Sequence, residues 1–516
     1  MFSIVTLAAC ALLAIPTATH GLGDESPSPS ELRSLLVQEA IALTDLADTL
    51  QAAGEIVAAE RTRTLVPIAQ AKEWERFEPL PDVVPARAGL ASLPPRGAES
   101  QAESIRAHTA QSCFEIATRA ASGSSRRLGL ADSCLRAVLA RDPNHAEARR
   151  LLGFLPYEGG WATPHAAEQL KSGKVSHRVF GWVPKKWVEH LDGGELPGTT
   201  FRGDQPTQWL PAAEADALRA DFQQRPWVIT THHFEIRTNV PLNEAIEFGR
   251  KLEALHELFF ALMADVVGRE RLPLAQRFAN PKLAPKTTPK RMKVWYFAER
   301  AEYLDYFQKQ FQRNEAVSLG YYMPPAEARG FNVEPRSYFY RDTRNPIDAT
   351  STLFHEASHQ LLFESAGATQ FPRNQGHFWV WEGLGTYFET ARLSDDGTIT
   401  IGGVVGPRMR EARIRLVDRG ELVPLDQLVN LDRDRFLREP EVYLHYAESM
   451  ALAVYLMHGE EGALRQNFLD YVRAAYDGRF ATRKNIETSL NIKADVLEFG
   501  LLQYLNSNNS PPTQKP

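Results

Sequence analysis

His355-Glu356-Ala357-Ser358-His359 stands inside a run without Pro or Gly from Asp348 to Ala366. Such a run predicts a helix, and on a helix positions i and i+4 lie about one turn apart on one face, so both imidazoles can reach a single ion. The pattern is H-E-x-x-H, in which the two histidines hold zinc and the glutamate between them is a general base and not a ligand. His355 and His359 are therefore expected metal ligands, and Glu356 the expected base.

A catalytic zinc takes three protein ligands and leaves one position open. The segment Trp381-Glu382-Gly383-Leu384-Gly385-Thr386-Tyr387-Phe388-Glu389 supplies a carboxylate, Glu382, 23 residues after His359. Gly367, Pro372 and Gly376 lie between them and allow the chain to reverse, so that a second helix brings Glu382 back to the face of the first. The extended motif with Gly three and His six residues past the second histidine is excluded, because Leu362 and Ser365 hold those positions. Glu364 is rotated away from His359 by five residues of helix. His377, just ahead of the second helix, is the alternative third ligand or a substrate contact.

His355 to His359 followed by Trp381-Glu382-Gly383-x-x-x-Tyr387 resembles the gluzincin arrangement, whose third ligand is the Glu of an E-G-x-x-x-Y helix. The flanking pieces, from the unit near His233 to Tyr446-Ala447-x-Ser449, resemble a bacterial peptidase-MA-like family, over about residues 225 to 505. The resemblance implies a thermolysin-like catalytic core with Zn2+ on His355, His359 and Glu382, and Glu356 as base. Thermolysin-type enzymes carry an acidic residue four positions after the ligand Glu, and here that position is Thr386; Glu389 is the candidate to support a ligand histidine in its place. Peptide hydrolysis also needs a donor for the developing oxyanion. By the same resemblance Tyr446, on a helix C-terminal to the metal segment, is the candidate, with His445 behind it, although Tyr443, Tyr446, Leu452 and Tyr455 also spell an ordinary core stripe.

The other histidines have simpler readings. His232-His233 opens a predicted strand, where neighbouring side chains point to opposite faces and do not share an ion. His256 and His458 fall in predicted helices as surface or satisfied core residues. Asp395-Asp396-Gly397 reads as a hairpin turn before Thr398-Ile399-Thr400-Ile401 and not as a calcium loop.

Working outward, 516 residues imply two or three domains. With 43% apolar and 24% charged residues the composition is that of a soluble globular protein. A net charge of −6, with no basic run beyond short clusters such as Lys185-Lys186, argues against a nucleic-acid partner. Ile4 to Pro16 is an apolar stretch of 13 residues followed by Thr19-His20-Gly21, which reads as an export signal cleaved near Leu22. Leu7-Ala8-Ala9-Cys10 spells a lipoprotein-type box, taken as coincidence because only nine residues precede the Cys. No other apolar run approaches the roughly 20 residues that span a bilayer, so no stable membrane span is expected in the mature chain. The protein is expected to be periplasmic or extracellular. Cys113 and Cys134 then remain, either as a disulfide or as two buried thiols.

The expected organisation is a signal peptide at 1–21, a helical region at 22–155, a Gly/Trp/Pro-rich connector at 156–224, a zinc-metallopeptidase-like domain at 225–505 and a disordered tail at 506–516. One or two helices are predicted between Ser30 and Gln70, an irregular Pro-rich crossing over 79–99, and two helices from Glu103 to Phe154. In the last of these Asp142-Pro143 reads as the break in a degenerate tetratricopeptide-type hairpin, with Pro in the first turn of the next helix. From Trp227 the pattern changes: a strand at His233 to Thr238, a helix at Leu242 to Val267, a strand at Met292 to Phe297, a helix at Glu302 to Phe311 and a strand at Ser337 to Arg341. The predicted fold is α+β, mainly helical, with a small mixed sheet leading into the motif helix.

Three functions compete: an exported zinc-dependent peptidase acting on peptide or protein substrates, a catalytically inactive peptidase-like binding module for protein or peptide partners, and a metal-binding structural domain. A full ligand set together with a base that binds no metal favours the enzyme. The N-terminal helices are a candidate surface for a protein partner.

Overall fold

The computed structural model describes residues 27–67, 74–86, 97–122, 127–267, 273–283, 290–313, 320–344, 346–366, 376–476 and 486–507. The expected signal peptide, the reversing residues Gly367 and Pro372, and most of the expected tail lie outside them.

Pro29 opens α1 (Pro29–Ala52), and the Ser28 side chain accepts from the Glu31 N–H, a Ser cap followed by a first-turn Pro. α2 (Ile56–Leu65) follows, then a strand β1 (Trp74–Phe77) that sequence patterning did not suggest. Three helices occupy the next stretch where two were expected: α3 (Ala98–Ala121), α4 (Leu128–Arg141) and α5 (Ala146–Leu151). Asp142-Pro143 does end α4, but Pro143 sits in a turn, and α5 starts later with His145 as its cap, Nδ1 accepting from Ala148 N at 3.2 Å. Cys113 and Cys134 lie in the core between α3 and α4 as two separate buried thiols. Burial pushes the Cys113 thiol up to about 11 and raises Cys134 as well, so both stay protonated and unreactive at neutral pH.

The connector forms short hairpins, Leu155–Tyr157 with Gly160–Ala162 and Lys174–His177 with Gly181–Pro184, around α6 (Pro164–Lys171). Beyond it, β2 (Trp227–Thr230), β3 (Phe234–Thr238), α7 (Leu242–Leu262), β4 (Met292–Phe297), α8 (Arg300–Phe311), β5 (Gly320–Met323) and β6 (Arg336–Tyr340) build one five-stranded sheet of order β2-β3-β4-β6-β5. β3, β4 and β6 run parallel, while β2 and β5 are antiparallel edges. Alternation along the strands divides the apolar residues between two layers. Val294, Tyr322 and Phe339 face the main core with α7, whereas Phe297, Tyr338 and Tyr340 pack with Tyr303, Phe307 and Phe311 around α8. β5 was not anticipated, and it is the edge nearest the metal-binding motif.

The chain then becomes mostly helical: α9 (Pro346–Ala366), α10 (Trp379–Phe388), the hairpin β7 (Arg392–Leu393) and β8 (Ile399–Gly402), α11 (Gly406–Arg413), α12 (Val442–His458), α13 (Arg465–Tyr476) and α14 (Ala494–Asn506). The β7–β8 turn is the one expected at Asp395-Asp396-Gly397, with Asp396 Oδ1 accepting from Thr398 N at 2.9 Å. The fold class is α+β. No helix among the described residues is long and apolar enough to cross a membrane.

Contacts cross the expected boundary near residue 225. β1 pairs with β8, Trp74 opposite Gly402 and Phe77 opposite Ile399, and Arg465 holds Glu75 at 2.8 Å. Asp265 Oδ1 accepts from Leu128 N at 2.7 Å, which satisfies a first-turn N–H of α4. Burial outweighs that hydrogen bond and lifts the Asp265 carboxyl to about 6.

Candidate metal centre

α10, read as Trp-Val-Trp-Glu-Gly-Leu-Gly-Thr-Tyr-Phe, is apolar around its whole circumference, so it must sit in the interior. Trp379, Val380, Trp381, Leu384, Tyr387 and Phe388 are all buried, each worth roughly 1.5–3 kcal/mol of apolar burial. Glu382 is its one charged residue, and a carboxylate in such a helix needs a cationic partner. Two glycines let α10 approach its neighbours. A Cβ on Gly383 would lie 2.9 Å from the Ser449 carbonyl of α12, and one on Gly385 would lie 2.8 Å from the His355 ring.

The approach gathers the expected ligands. His355 Nε2 is 3.2 Å from His359 Nε2, and Glu382 Oε2 lies 3.4 Å from the first and 3.9 Å from the second. Their donor atoms fall within 4.8 Å of one another, the one such group of three among the described residues. The residues fit a zinc ion in kind, two imidazoles and one carboxylate. They also fit in charge. Burial works against a proton on His355, yet hydrogen bonds to Glu382 and Glu389 overcome it and lift the ring to about 10, so the site calls for positive charge.

Glu389 takes the supporting role that Thr386 cannot. Its Oε1 is 2.9 Å from His355 Nδ1, which directs Nε2 toward Glu382, and its Oε2 accepts from Arg408 Nε at 2.9 Å. Thr386 instead returns its hydroxyl to the Glu382 carbonyl at 2.7 Å. Glu389→Gln keeps an acceptor but loses the charge shared with His355 and Arg408, and zinc affinity should fall by about 10- to 100-fold with the helical signal unchanged. Titration against a competing chelator measures it; equal affinities would remove Glu389 from the centre.

Glu356 shares the cavity without joining the trio, and its Oε2 accepts from the Tyr322 N–H of edge strand β5 at 3.0 Å. Tyr446 lines the same cavity, with Arg408 5.2 Å over its ring and Phe436 edge-on at 5.4 Å. Burial, then the charges of Glu382 and Glu356, hold its hydroxyl well above the ordinary tyrosine range, so it is a donor at neutral pH. The core-stripe reading fits Tyr455, which is buried, but not Tyr443, which is 60% exposed. His445 points elsewhere, its Nδ1 2.7 Å from the Phe436 carbonyl. His377 is tied to the Tyr471 hydroxyl at 2.6 Å, and Glu364 accepts from Gln360. Arg408, Gly385 and the Tyr322 N–H escaped the sequence reading, since nothing in local spacing links them to the motif.

This cavity holds about 380 Å³, far less than another, of about 2230 Å³, that runs past His232 and His233. The donor set, and not volume, marks the smaller as the candidate site. Residues 349–476 match the family described as a protein of unknown function (DUF1570). The matched segment contains every donor of the centre, Glu356, Glu389, Arg408 and Tyr446, but neither β5 nor the rest of the sheet. No curated protein matches the chain.

The other histidines correct one expectation. β3 begins at Phe234, so His232 and His233 occupy a bend ahead of it, and their rings lie 3.9 Å apart instead of on opposite faces. His165 stacks on His232 at 4.9 Å and His256 on His233 at 3.5 Å, with Glu253 Oε2 2.7 Å from His233 Nδ1. His458 is a satisfied core residue, accepting or donating at Tyr387 OH over 2.9 Å. Burial, then the neighbouring His233, lowers His232 to about 3 and holds His256 well below its ordinary value. Because these folded-state values lie under the unfolded value of about 6.5, their contribution is complete above pH 6.5 and is lost as pH falls from there toward 3. Each buried ring contributes a slope of at most about 1.4 kcal/mol per pH unit. The thermal midpoint should therefore drop more steeply between pH 7 and 5 in wild type than in His232→Phe; parallel curves would contradict this.

Proposed function

We propose that the chain is a gluzincin-like, thermolysin-type zinc peptidase, exported, which hydrolyses peptide bonds with Glu356 as general base. The observation that carries this reading is a carboxylate beside a complete three-donor group, in the same cavity, that is not itself one of the donors. A purely structural metal site has no use for it. Zinc on His355, His359 and Glu382 would supply the Lewis acidity that polarises a scissile carbonyl and makes water reactive at neutral pH.

The rest falls to the chain's own side chains. Glu356, steadied by the Tyr322 N–H, takes a proton from the attacking water and delivers it to the leaving amine. The Tyr446 hydroxyl donates to the oxyanion. Glu389 and Arg408 keep the His355 ring oriented. Edge strand β5, whose Tyr321 and Tyr322 line the cavity, forms a wall along which an extended peptide can lie. The test is hydrolysis of a diverse peptide library by the zinc-loaded full chain. Cleavage that disappears on chelation supports the reading; binding of peptides with zinc present and no cleavage would leave an inactive binding module instead.

A further inference from the structure

The cavity beside the metal trio has two walls. One is formed by Tyr321, Tyr322, Pro324, Ala326 and Glu327, the other by Phe378, Arg433, Leu437 and Tyr446. The charges on these walls are not equally committed. Glu327 is bound by the Arg313 guanidinium and by the Tyr321 hydroxyl at 2.7 Å. Arg408, over the Tyr446 ring, is held by Glu389. Arg433 differs. It opens the short helix Arg433–Phe436, whose cap Asp432 accepts from the Arg435 N–H and pairs with the Arg435 side chain at 3.0 Å, so the acid that precedes Arg433 is engaged by Arg435. Among the described residues Arg433 has no ion-pair partner, and it is the one Lys or Arg that lines this cavity.

We propose that Arg433 selects the substrate, taking a carboxylate of the peptide as it lies against the metal site. A guanidinium presents a planar fork that matches a carboxylate in two parallel hydrogen bonds, and no resident acid has to be displaced first. This rests on the peptidase reading. The carboxylate comes either from an acidic side chain near the scissile bond or from the free C-terminus of the substrate, and the two sources share the same recognition chemistry.

Two matched sets of fluorogenic peptides separate them: one with internal Glu against Gln, the other with a free against an amidated C-terminus. With the zinc-loaded full chain, the carboxylate member of one set should be favoured about tenfold or more in kcat/KM, mostly through KM. That ratio should fall to near one in Arg433→Gln and below one in Arg433→Glu, with zinc content equal to wild type as the control for folding. The set in which the preference resides names the source. Equal ratios in wild type and Arg433→Gln, or no preference in either set, would overturn the proposal. Anisotropy binding of the same peptides to Glu356→Gln, with and without Arg433→Gln, reads the selection without turnover, so a failure of the peptidase reading and a failure of the Arg433 proposal give different results.

Discussion

Glu356→Gln should lose between about 10²- and 10⁴-fold in kcat, towards the upper end of what general acid-base catalysis contributes, while keeping its zinc. The side chain keeps its size, and its amide oxygen can still accept from the Tyr322 N–H that holds Oε2 at 3.0 Å. What disappears is the basicity that removes a proton from water. The three donors do not include Glu356, so metal content and thermal stability should change little. Steady-state hydrolysis and elemental analysis on the same preparation check both halves. A fully active variant would refute the assigned mechanism even if the chain is a peptidase.

Glu382→Gln should lose metal and turnover together. Here the carboxylate is one of the three candidate donors, set between two imidazoles 3.4 and 3.9 Å away, and an amide is a far weaker zinc ligand. Hydrogen bonds from His355 and His359 overcome burial to hold Glu382 well below the usual carboxylate range, so the charge removed is one that the site depends on. Zinc binding should weaken by at least about 10-fold, the low end of what even supporting residues contribute. Titration with a competing chelator measures this, and the contrast between the two Glu→Gln variants separates base from ligand. Equal zinc affinity in Glu382→Gln and wild type would remove it from the donor set.

The donor group could be read from the sequence because its information is local. A helix fixes the relation of His355 to His359, and an apolar helix with a single acid makes Glu382 conspicuous. Glu389 could be named as a substitute since it lies on the same stretch as the ligand. Arg408 and the Tyr322 N–H could not, because each reaches the centre through tertiary packing: Arg408 from α11, and Tyr322 from an edge strand only four residues long. β1 was missed for the same reason, as its pairing partner β8 lies more than 300 residues away. The His232-His233 error came from opening the strand at these two residues instead of at Phe234. In a strand that choice puts adjacent rings on opposite faces, whereas a bend lets them stack. Asp142-Pro143 marked a true break, but the residue that caps the next helix is His145, whose ring nitrogen accepts a backbone N–H in place of a more usual Ser or Asp.

The most direct measurement is zinc per chain, determined by elemental analysis, in purified wild type and in His359→Ala after identical dialysis. His359 contributes one of three donors, and its Nε2 sits 3.2 Å from that of His355. One zinc per wild-type chain and none in His359→Ala is the expected result; the same metal content in both proteins, or no zinc taken up by wild type, would contradict a zinc centre on His355, His359 and Glu382.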